Sequence, residues 1–227
     1  MIEMSAARWL VVFWVLFGGT HLILSSVKIR TLIIDKIGPP GFQGLYSLIA
    51  LATFVPLVWI YWENRHGSRM LGDFLLHMPG TRVFAMILGF IGFTLIIASF
   101  FQPSPVGMVP GQAQAKGLLR ITRHPLFMFM ALWAFSHMLV NIYMTDWVFF
   151  GGIAAFSIIG AMHQDHRKRI LEQEKLGQFM NETSLIPFYA IVAGRNRMVW
   201  GELPWVGIVV GGIASGFLYW LHPRLFY

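Results

Sequence analysis

The chain has 227 residues, of which 56% are hydrophobic and only 12% are charged, with a formal net charge of +7. A soluble domain carries about 25% charged residues, so this composition indicates an integral membrane protein in a lipid bilayer. The absence of cysteine excludes disulfides, thiolate catalysis and Cys-ligated metal centres, and leaves histidine, carboxylate, methionine and tyrosine as possible ligands. The basic residues are scattered between apolar runs, which argues against nucleic acid as a partner.

Six apolar stretches have the length and composition of membrane spans, which need about 20 residues. We therefore predict an all-α fold, a polytopic transmembrane helical bundle of about six spans that forms a single integral membrane domain over residues 1–227. No basic segment precedes the first stretch and no small-residue cleavage site follows it, so we expect a retained helix rather than a signal peptide. The predicted spans are residues 7–27, 42–62, 83–101, 125–144, 147–162 and 203–221.

Glycine and proline divide these spans. The sequence Gly-Pro-Pro-Gly at residues 38–41 predicts a strong break after the first span, and the Pro- and Gly-rich residues 102–116 predict a loop. Inside the third span, Gly89 and Gly92 predict a close contact with another helix.

Six spans place both termini on the same side of the membrane. That side carries five of the 17 Lys and Arg residues, and the opposite side carries twelve. The positive-inside rule therefore predicts a bacterial inner-membrane protein with both termini in the periplasm and three basic loops in the cytoplasm.

Two histidines, His21 and His137, lie well inside predicted spans, where ionisable groups are costly and indicate function. Each is either a neutral imidazole that hydrogen-bonds a neighbouring helix, or one of two imidazoles that hold a haem iron. The span boundaries place them about 9 Å apart in depth, an offset that a tilted haem tolerates. His124, at the cytoplasmic edge, differs from His21 by a similar depth in the other direction, so geometry leaves His124 and His137 open as the second ligand.

A basic cluster, Arg120, Arg123 and His124, precedes the helix that Pro125 is suited to begin. These side chains either anchor the cytoplasmic surface or grip an anion such as a haem propionate, a phosphate or a carboxylate. The polar run at residues 163–169 is interpreted as the cytoplasmic end of a helix, with a metal site as the alternative.

Four motifs, in the same order, resemble those of the NnrU family, which includes the 15-cis-zeta-carotene isomerases. They lie at residues 20–26, 117–125, 132–141 and 183–195, and together they extend over nearly the whole chain. The chain lacks the long amino-terminal extension of the plastid isomerases, and the residues between the motifs diverge.

The resemblance implies a membrane protein that binds haem b between His21 and His137, with His124 as a further family histidine near the site. In the isomerases it implies a redox-gated change, in which one axial histidine leaves the reduced iron and the iron engages the cis double bond at carbon 15. In this interpretation Arg120 and Arg123 anchor the propionates, and His124 orients the site or serves as an alternative ligand. The bacterial branch of the family is associated with nitrite and nitric oxide metabolism.

We accordingly expect either cis–trans isomerisation of an apolar polyene or redox chemistry linked to nitric oxide, with His21, His137 and His124 as catalytic residues and an electron donor as partner. A second class remains open. Arg123-His-Pro125 followed by Glu172 and Glu174 resembles the isoprenylcysteine and phospholipid methyltransferases, which bind S-adenosylmethionine. A non-catalytic haem sensor is a third class.

Overall fold

The computed structural model describes residues 3–65, 68–71, 77–107 and 111–226, and their regular structure is helical apart from a β-bridge between Met70 and Tyr143. Residues 108–110, within the predicted loop 102–116, lie outside the described residues. The helices in chain order are α1 (Glu3–Ser25), α2 (Val27–Asn64), α3 (Thr81–Phe100), α4 (Leu118–Ile121), α5 (Pro125–Val140), α6 (Met144–Leu171), α7 (Gln173–Glu182), α8 (Tyr189–Val192) and α9 (Trp205–Phe226), with a 3-10 turn at Trp200–Glu202.

Five helices in the described part of the chain, α1, α2, α3, α6 and α9, are long and apolar enough to cross a membrane. The predicted fold class, an all-α membrane bundle, is confirmed. Helix α5 is also apolar, but its 16 residues extend only about 24 Å, less than the hydrocarbon core of about 30 Å.

One predicted span boundary is wrong, and the structure gives the reason. Helix α5 ends at Val140 rather than Met144, because the next residues leave the helix and Ile142 O accepts a hydrogen bond from Leu71 N at 2.8 Å. Helix α6 continues past the apolar span that ends at Met162 and reaches Leu171, so the interpretation of residues 163–169 as the end of a helix is confirmed.

The predicted break at residues 38–41 is confirmed as a kink within α2. Gly38 has φ 71° and ψ 167°, outside the helical region, and two prolines follow it directly. Positive φ is strained for a residue with a Cβ atom, so glycine permits the chain to change direction here and continue as a helix to Asn64.

The chain divides into two compact units. Unit 1 comprises Met1–Thr81 and His137–Phe156, and unit 2 comprises Arg82–Ser136 and Ser157–Tyr227, so α5 and α6 contribute residues to both. Unit 1 contains α1 packed against α2. Unit 2 contains two buried apolar clusters, one made of Val106, Leu119, Leu176, Phe179 and Met180, and the other of Ala98, Leu118, Ile121 and Phe129.

Helices in unit 2 approach closely at glycines. A Cβ atom on Gly92 would lie 3.0 Å from the backbone N of Trp133, and a Cβ atom on Gly211 would collide with the carbonyl oxygen of Thr94. A Cβ atom on Gly89 would lie 3.0 Å from the Ser136 hydroxyl. The close contacts predicted at Gly89 and Gly92 are therefore confirmed.

Candidate functional site

His21, in α1, has one ring nitrogen engaged and the other available. Its Nδ1 lies 2.7 Å from the carbonyl oxygen of Phe17, one helical turn earlier. A carbonyl oxygen only accepts hydrogen bonds, so Nδ1 carries the proton and Nε2 of the neutral imidazole carries a lone pair. A histidine that ligates a metal usually has this arrangement, because the bond at the second nitrogen fixes the tautomer and the ring orientation.

Aromatic rings surround the His21 imidazole. Its ring centroid lies 4.0 Å from that of Phe17, 4.8 Å from that of Tyr46 and 5.4 Å from that of Phe156, the last two edge-on. Phe17 also packs against Phe54 at 5.1 Å. These rings come from α1, α2 and α6, and they give the imidazole a closely packed, apolar environment.

His137 belongs to the same unit and also packs against α6. Its ring stacks on Phe150, with centroids 4.5 Å apart and an interplanar angle of 23°. Phe150 and Phe156, the two α6 rings that contact the two histidines, are six residues apart, which is about 9 Å along the helix axis. The offset is about the same as the depth difference that the span boundaries predict for His21 and His137.

A buried acid supports the ring on which His137 stacks. The Tyr61 hydroxyl donates to Asp146 Oδ1 at 2.9 Å, and Asp146 is only 2% exposed. The Tyr61 ring stacks on Phe149 at 4.0 Å and meets Phe150 edge-on at 5.7 Å. The hydrogen bond therefore fixes a ring assembly that ends at Phe150, a role for Tyr61 and Asp146 that sequence reasoning missed.

The residues of unit 1 fit a haem by the chemistry of their donors. Two imidazoles lie in an aromatic environment, and His21 is in the tautomer that leaves Nε2 free to ligate iron. No group of three or more His, Cys, Asp or Glu side chains within the described ranges is placed to hold a metal ion. A haem needs only two side-chain ligands, and the pair that the sequence predicts is His21 and His137.

The third candidate histidine, His124, lies in a buried polar cluster in unit 2. It is 2% exposed, and its Nε2 lies 2.7 Å from Asp165 Oδ1. Its Nδ1 is buried and has no hydrogen-bond partner. Asp165, which follows His124 by 41 residues in the chain, thus holds the imidazole in one orientation.

Arg123 shares the same acid. Its Nε lies 3.6 Å from Asp165 Oδ2, its Nη2 donates to Thr183 O at 2.9 Å, and its backbone N donates to Ser184 O at 2.8 Å. Burial lowers the pKa of Arg123 from its ordinary value, the carboxylate of Asp165 opposes this, and the nearby Arg169 adds to it. The cluster ties the start of α5 to α6 and to the segment after α7.

Arg120 has a separate partner. Its Nε and Nη2 donate to the two carboxylate oxygens of Glu202, at 2.7 and 3.1 Å. The hydrogen bond to Glu202 raises the pKa of Arg120, and the same bond lowers the pKa of Glu202. Glu202 also accepts from the backbone N of Gly117 at 3.2 Å, where φ is 52° and a Cβ atom would collide with Gln102.

The predicted site residues thus fall into two groups. His21 and His137 lie in unit 1, whereas Arg120, Arg123 and His124 lie in unit 2. Sequence reasoning missed the pairing of Asp165 with His124 and of Glu202 with Arg120. One signal for the first was available, since Asp165 is the only acidic residue between Asp146 and Glu172.

The acidic residues of the methyltransferase alternative are not joined to its basic motif. In the part of the chain that the structure describes, no hydrogen bond or ion pair links Arg123 or His124 to Glu172 or Glu174. Glu172 instead accepts a hydrogen bond from Lys168 at 2.6 Å, one turn earlier in α6.

Comparison with known proteins gives one family and two relatives. A family model described as "NnrU protein" matches residues 9–227. The chloroplastic 15-cis-zeta-carotene isomerase of Arabidopsis thaliana is 24% identical over 222 residues, covering 92% of this chain and 58% of the relative. The protein of the same name from Zea mays is 23% identical over 221 residues, covering 93% and 58%. The chain spans 58% of the length of these relatives, and no solved structure matches it significantly.

Proposed function

Because the chain belongs to the NnrU family, we propose that it is a haem b-binding membrane isomerase that converts a cis double bond of an apolar polyene to trans. The class of reaction comes from the two relatives, each described as a 15-cis-zeta-carotene isomerase. The proposed axial ligands are His21 and His137. The observation that carries the proposal is the hydrogen bond from His21 Nδ1 to Phe17 O, which leaves Nε2 available inside a ring of aromatic side chains.

The chain's own residues would prepare the site in three ways. Phe17 O keeps His21 in one tautomer, so that ligation requires no proton transfer from its Nε2. Phe150, held by Tyr61 and Phe149, fixes the plane of the His137 ring. The surrounding aromatic rings exclude water and accept an apolar chain from the bilayer.

A haem held by His21 and His137 would supply a redox-active iron able to engage a double bond. Isomerisation changes neither the atoms nor the electrons of the polyene. The substrate therefore needs no co-reactant. An electron donor that sets the redox state of the haem iron stays a prediction. His124 as an alternative ligand and a role in nitrite or nitric oxide metabolism also stay predictions.

Propionate anchoring by Arg120 and Arg123 stays a prediction as well. Glu202 occupies two of the donors of Arg120, and Arg123 is engaged with Thr183 O and near Asp165. Each guanidinium would have to bind a propionate through its remaining N–H groups.

Isomerisation of 15-cis-zeta-carotene by purified, haem-loaded and reduced protein tests the proposed activity. We expect conversion by the wild type, and at least a roughly tenfold loss in His21→Ala and in His137→Ala. His166→Ala is the matched control, since His166 is exposed on α6 and belongs to neither candidate group.

Two outcomes would overturn parts of the proposal. If the haem-loaded wild type left the carotene unchanged, the proposed isomerase activity would be disproved, and nitric oxide binding would then be assayed. Full activity in His21→Ala would disprove the assignment of His21 as a haem ligand, while the proposed isomerase activity would stand.

For the location, we propose the bacterial inner membrane with both termini in the periplasm, an orientation that requires the short helix α5 to cross as a sixth span. The support is the distribution of Lys and Arg, with twelve of 17 in three predicted loops on one side. The two curated relatives are described as chloroplastic. A reporter that is active only in the periplasm should be active when it is fused to the carboxyl terminus. A reporter that is active only in the cytoplasm should be inactive at the same position, and the opposite pair of results would reverse the orientation.

A further inference from the structure

Two arginines of unit 2 converge on one carbonyl oxygen. Arg123 Nη2 donates to Thr183 O at 2.9 Å, and Arg195 Nη1 donates to the same oxygen at 3.1 Å. The two guanidinium groups are therefore neighbours. Like charges at this separation repel, and the dipole of one carbonyl group offsets only part of that repulsion.

Arg123 is also short of hydrogen-bond acceptors. It is 5% exposed, and its Nη1 is buried without a hydrogen-bond partner. Its Nε lies 3.6 Å from Asp165 Oδ2, which is too long for a hydrogen bond, and the other oxygen of Asp165 is bonded to His124. Unmatched N–H groups on a guanidinium this deeply buried are rare in proteins and point to an anionic ligand.

The surroundings add further positive charge. Arg169, exposed near the end of α6, is close enough to lower the pKa of Arg123, and Arg195 does the same. Helix α5, of 16 residues, begins at Pro125, two residues after Arg123, and its N-terminus carries a partial positive charge. Against these, Asp165 is the acidic group that acts on Arg123.

We propose that Arg123 and Arg195, with Arg169 at the rim, form a binding site for a phosphate group. The planar fork of a guanidinium matches phosphate oxygens, and two adjacent forks can share one phosphate. Arg120 is not part of this site, because Glu202 already occupies its Nε and Nη2. The source is either the headgroup of an anionic phospholipid, at the side of the membrane predicted to be basic, or a soluble phosphate ester.

This site goes beyond the proposed isomerase function and does not depend on it. Every residue that forms it belongs to unit 2, whereas the proposed haem ligands His21 and His137 belong to unit 1. A failure of haem binding would therefore leave the phosphate proposal standing, and the reverse also holds.

The experiment compares full-length protein with two variants and a matched control. Arg195→Gln and Arg169→Gln remove exposed cations, which keeps the buried Arg123 intact, and Arg197→Gln removes an exposed arginine two residues from Arg195. The first probe is inorganic phosphate, compared with chloride at equal ionic strength. Its binding is measured as a rise in the melting temperature of the protein in detergent. The second is retention of phosphatidylglycerol against phosphatidylcholine by native mass spectrometry. Haem content is measured in parallel.

We expect Arg195→Gln to weaken phosphate or phosphatidylglycerol binding roughly tenfold, the loss of one charge-assisted hydrogen bond. Arg169→Gln should weaken it less, and Arg197→Gln should stay within about twofold of wild type. Stabilisation by inorganic phosphate identifies a soluble source, and selective retention of phosphatidylglycerol alone identifies a lipid.

Three results would overturn the proposal. One is the absence of any preference for phosphate over chloride or for phosphatidylglycerol over phosphatidylcholine. Another is an equal loss in Arg197→Gln, which indicates a general effect of surface charge. The last is a loss of haem in Arg195→Gln with phosphate binding unchanged, which would favour a propionate as the anion.

Discussion

The two units hold their candidate functional histidines in opposite ways. In unit 1, His21 makes one hydrogen bond to a backbone carbonyl and is otherwise surrounded by aromatic rings. In unit 2, His124 is almost fully buried and bonded to the carboxylate of Asp165, beside Arg123. Each histidine therefore has one ring nitrogen engaged, but the partner is a backbone carbonyl among apolar rings in unit 1 and a buried carboxylate beside a second cation in unit 2.

The same contrast extends to helix packing. Unit 1 is packed with rings, such as Tyr61 on Phe149. Unit 2 brings helices together at small residues, such as Gly211 against Thr94, with a hydrogen bond between Thr94 and Ser215. Each substitution below removes one element of this contrast, and the expected effects decrease in size.

Asp165→Ala should have the largest effect on stability, a loss of about 3 kcal/mol in the free energy of unfolding. The substitution leaves Arg123 and Nε2 of His124 buried without their acid. In unit 1, His21→Ala should cost less, about 2 kcal/mol, since it removes one hydrogen bond to backbone and the packing of a half-buried ring against aromatic side chains. Unfolding by SDS in mixed micelles measures both, with the exposed Asp35→Ala as control. Equal losses in the free energy of unfolding of Asp165→Ala and His21→Ala would contradict the contrast between the two units.

Gly211→Ala should cost about 2 kcal/mol, because the added methyl group collides with the carbonyl oxygen of Thr94. Gly212→Ala, one residue later in α9, is the matched control, since a Cβ atom there meets nothing within 4 Å. The same unfolding assay compares them. If the two variants were equally stable, close packing at Gly211 would be disproved.

Tyr61→Phe should cost about 1.5 kcal/mol, because it removes a donor from the buried carboxylate of Asp146 while keeping the ring stacked on Phe149. Tyr219→Phe serves as control, since the Tyr219 hydroxyl lies 3.6 Å from the Met86 sulfur and forms at most a weak bond. If Tyr219→Phe lost as much stability as Tyr61→Phe, the hydrogen bond from Tyr61 to Asp146 would not be the cause of the loss.

Glu202→Gln should have the smallest effect, up to about 1 kcal/mol and confined to part of the pH range. The pKa of Glu202 lies below its ordinary value of 4.5 in the folded protein, chiefly because of the hydrogen bond from Arg120. Its contribution to stability is therefore present above pH 4.5 and is lost as the pH falls through the lower folded pKa.

The pH dependence of unfolding checks this prediction. In wild type, stability should fall across the acidic range by more than it does in Glu202→Gln. Glu174→Gln, which alters an exposed acid in α7, should keep the wild-type slope. An identical slope in wild type and Glu202→Gln would show that the pair does not contribute.

Much of the fold follows from the sequence because bilayer spans are long, apolar and bounded by polar residues. The break at Gly38 was predictable, since Gly-Pro-Pro-Gly forbids a regular helix. The end of α5 was not, because it depends on the pairing of residues 142–144 with residues 69–71, a contact that local composition does not reveal. The extension of α6 through its charged run was predictable as a helix end, although hydropathy by itself reports only the membrane boundary.

The candidate site was predictable only in part. The isolated positions of His21 and His137 in apolar runs indicated them directly. The pairing of His124 with Asp165 spans 41 residues, and that of Arg120 with Glu202 spans 82, so neither leaves a local pattern. The aromatic rings around His21 come from three helices, and a single sequence does not show which faces of those helices meet.

The most direct test of the central proposal is the absorption spectrum of the detergent-purified protein, oxidised and then reduced with dithionite, after expression with sufficient haem. Ligation by His21 and His137 predicts a sharp Soret band, split α and β bands on reduction, and a changed spectrum in His21→Ala but not in His166→Ala. A well-folded protein without haem absorption, or a spectrum that His21→Ala leaves unchanged, would contradict the haem site.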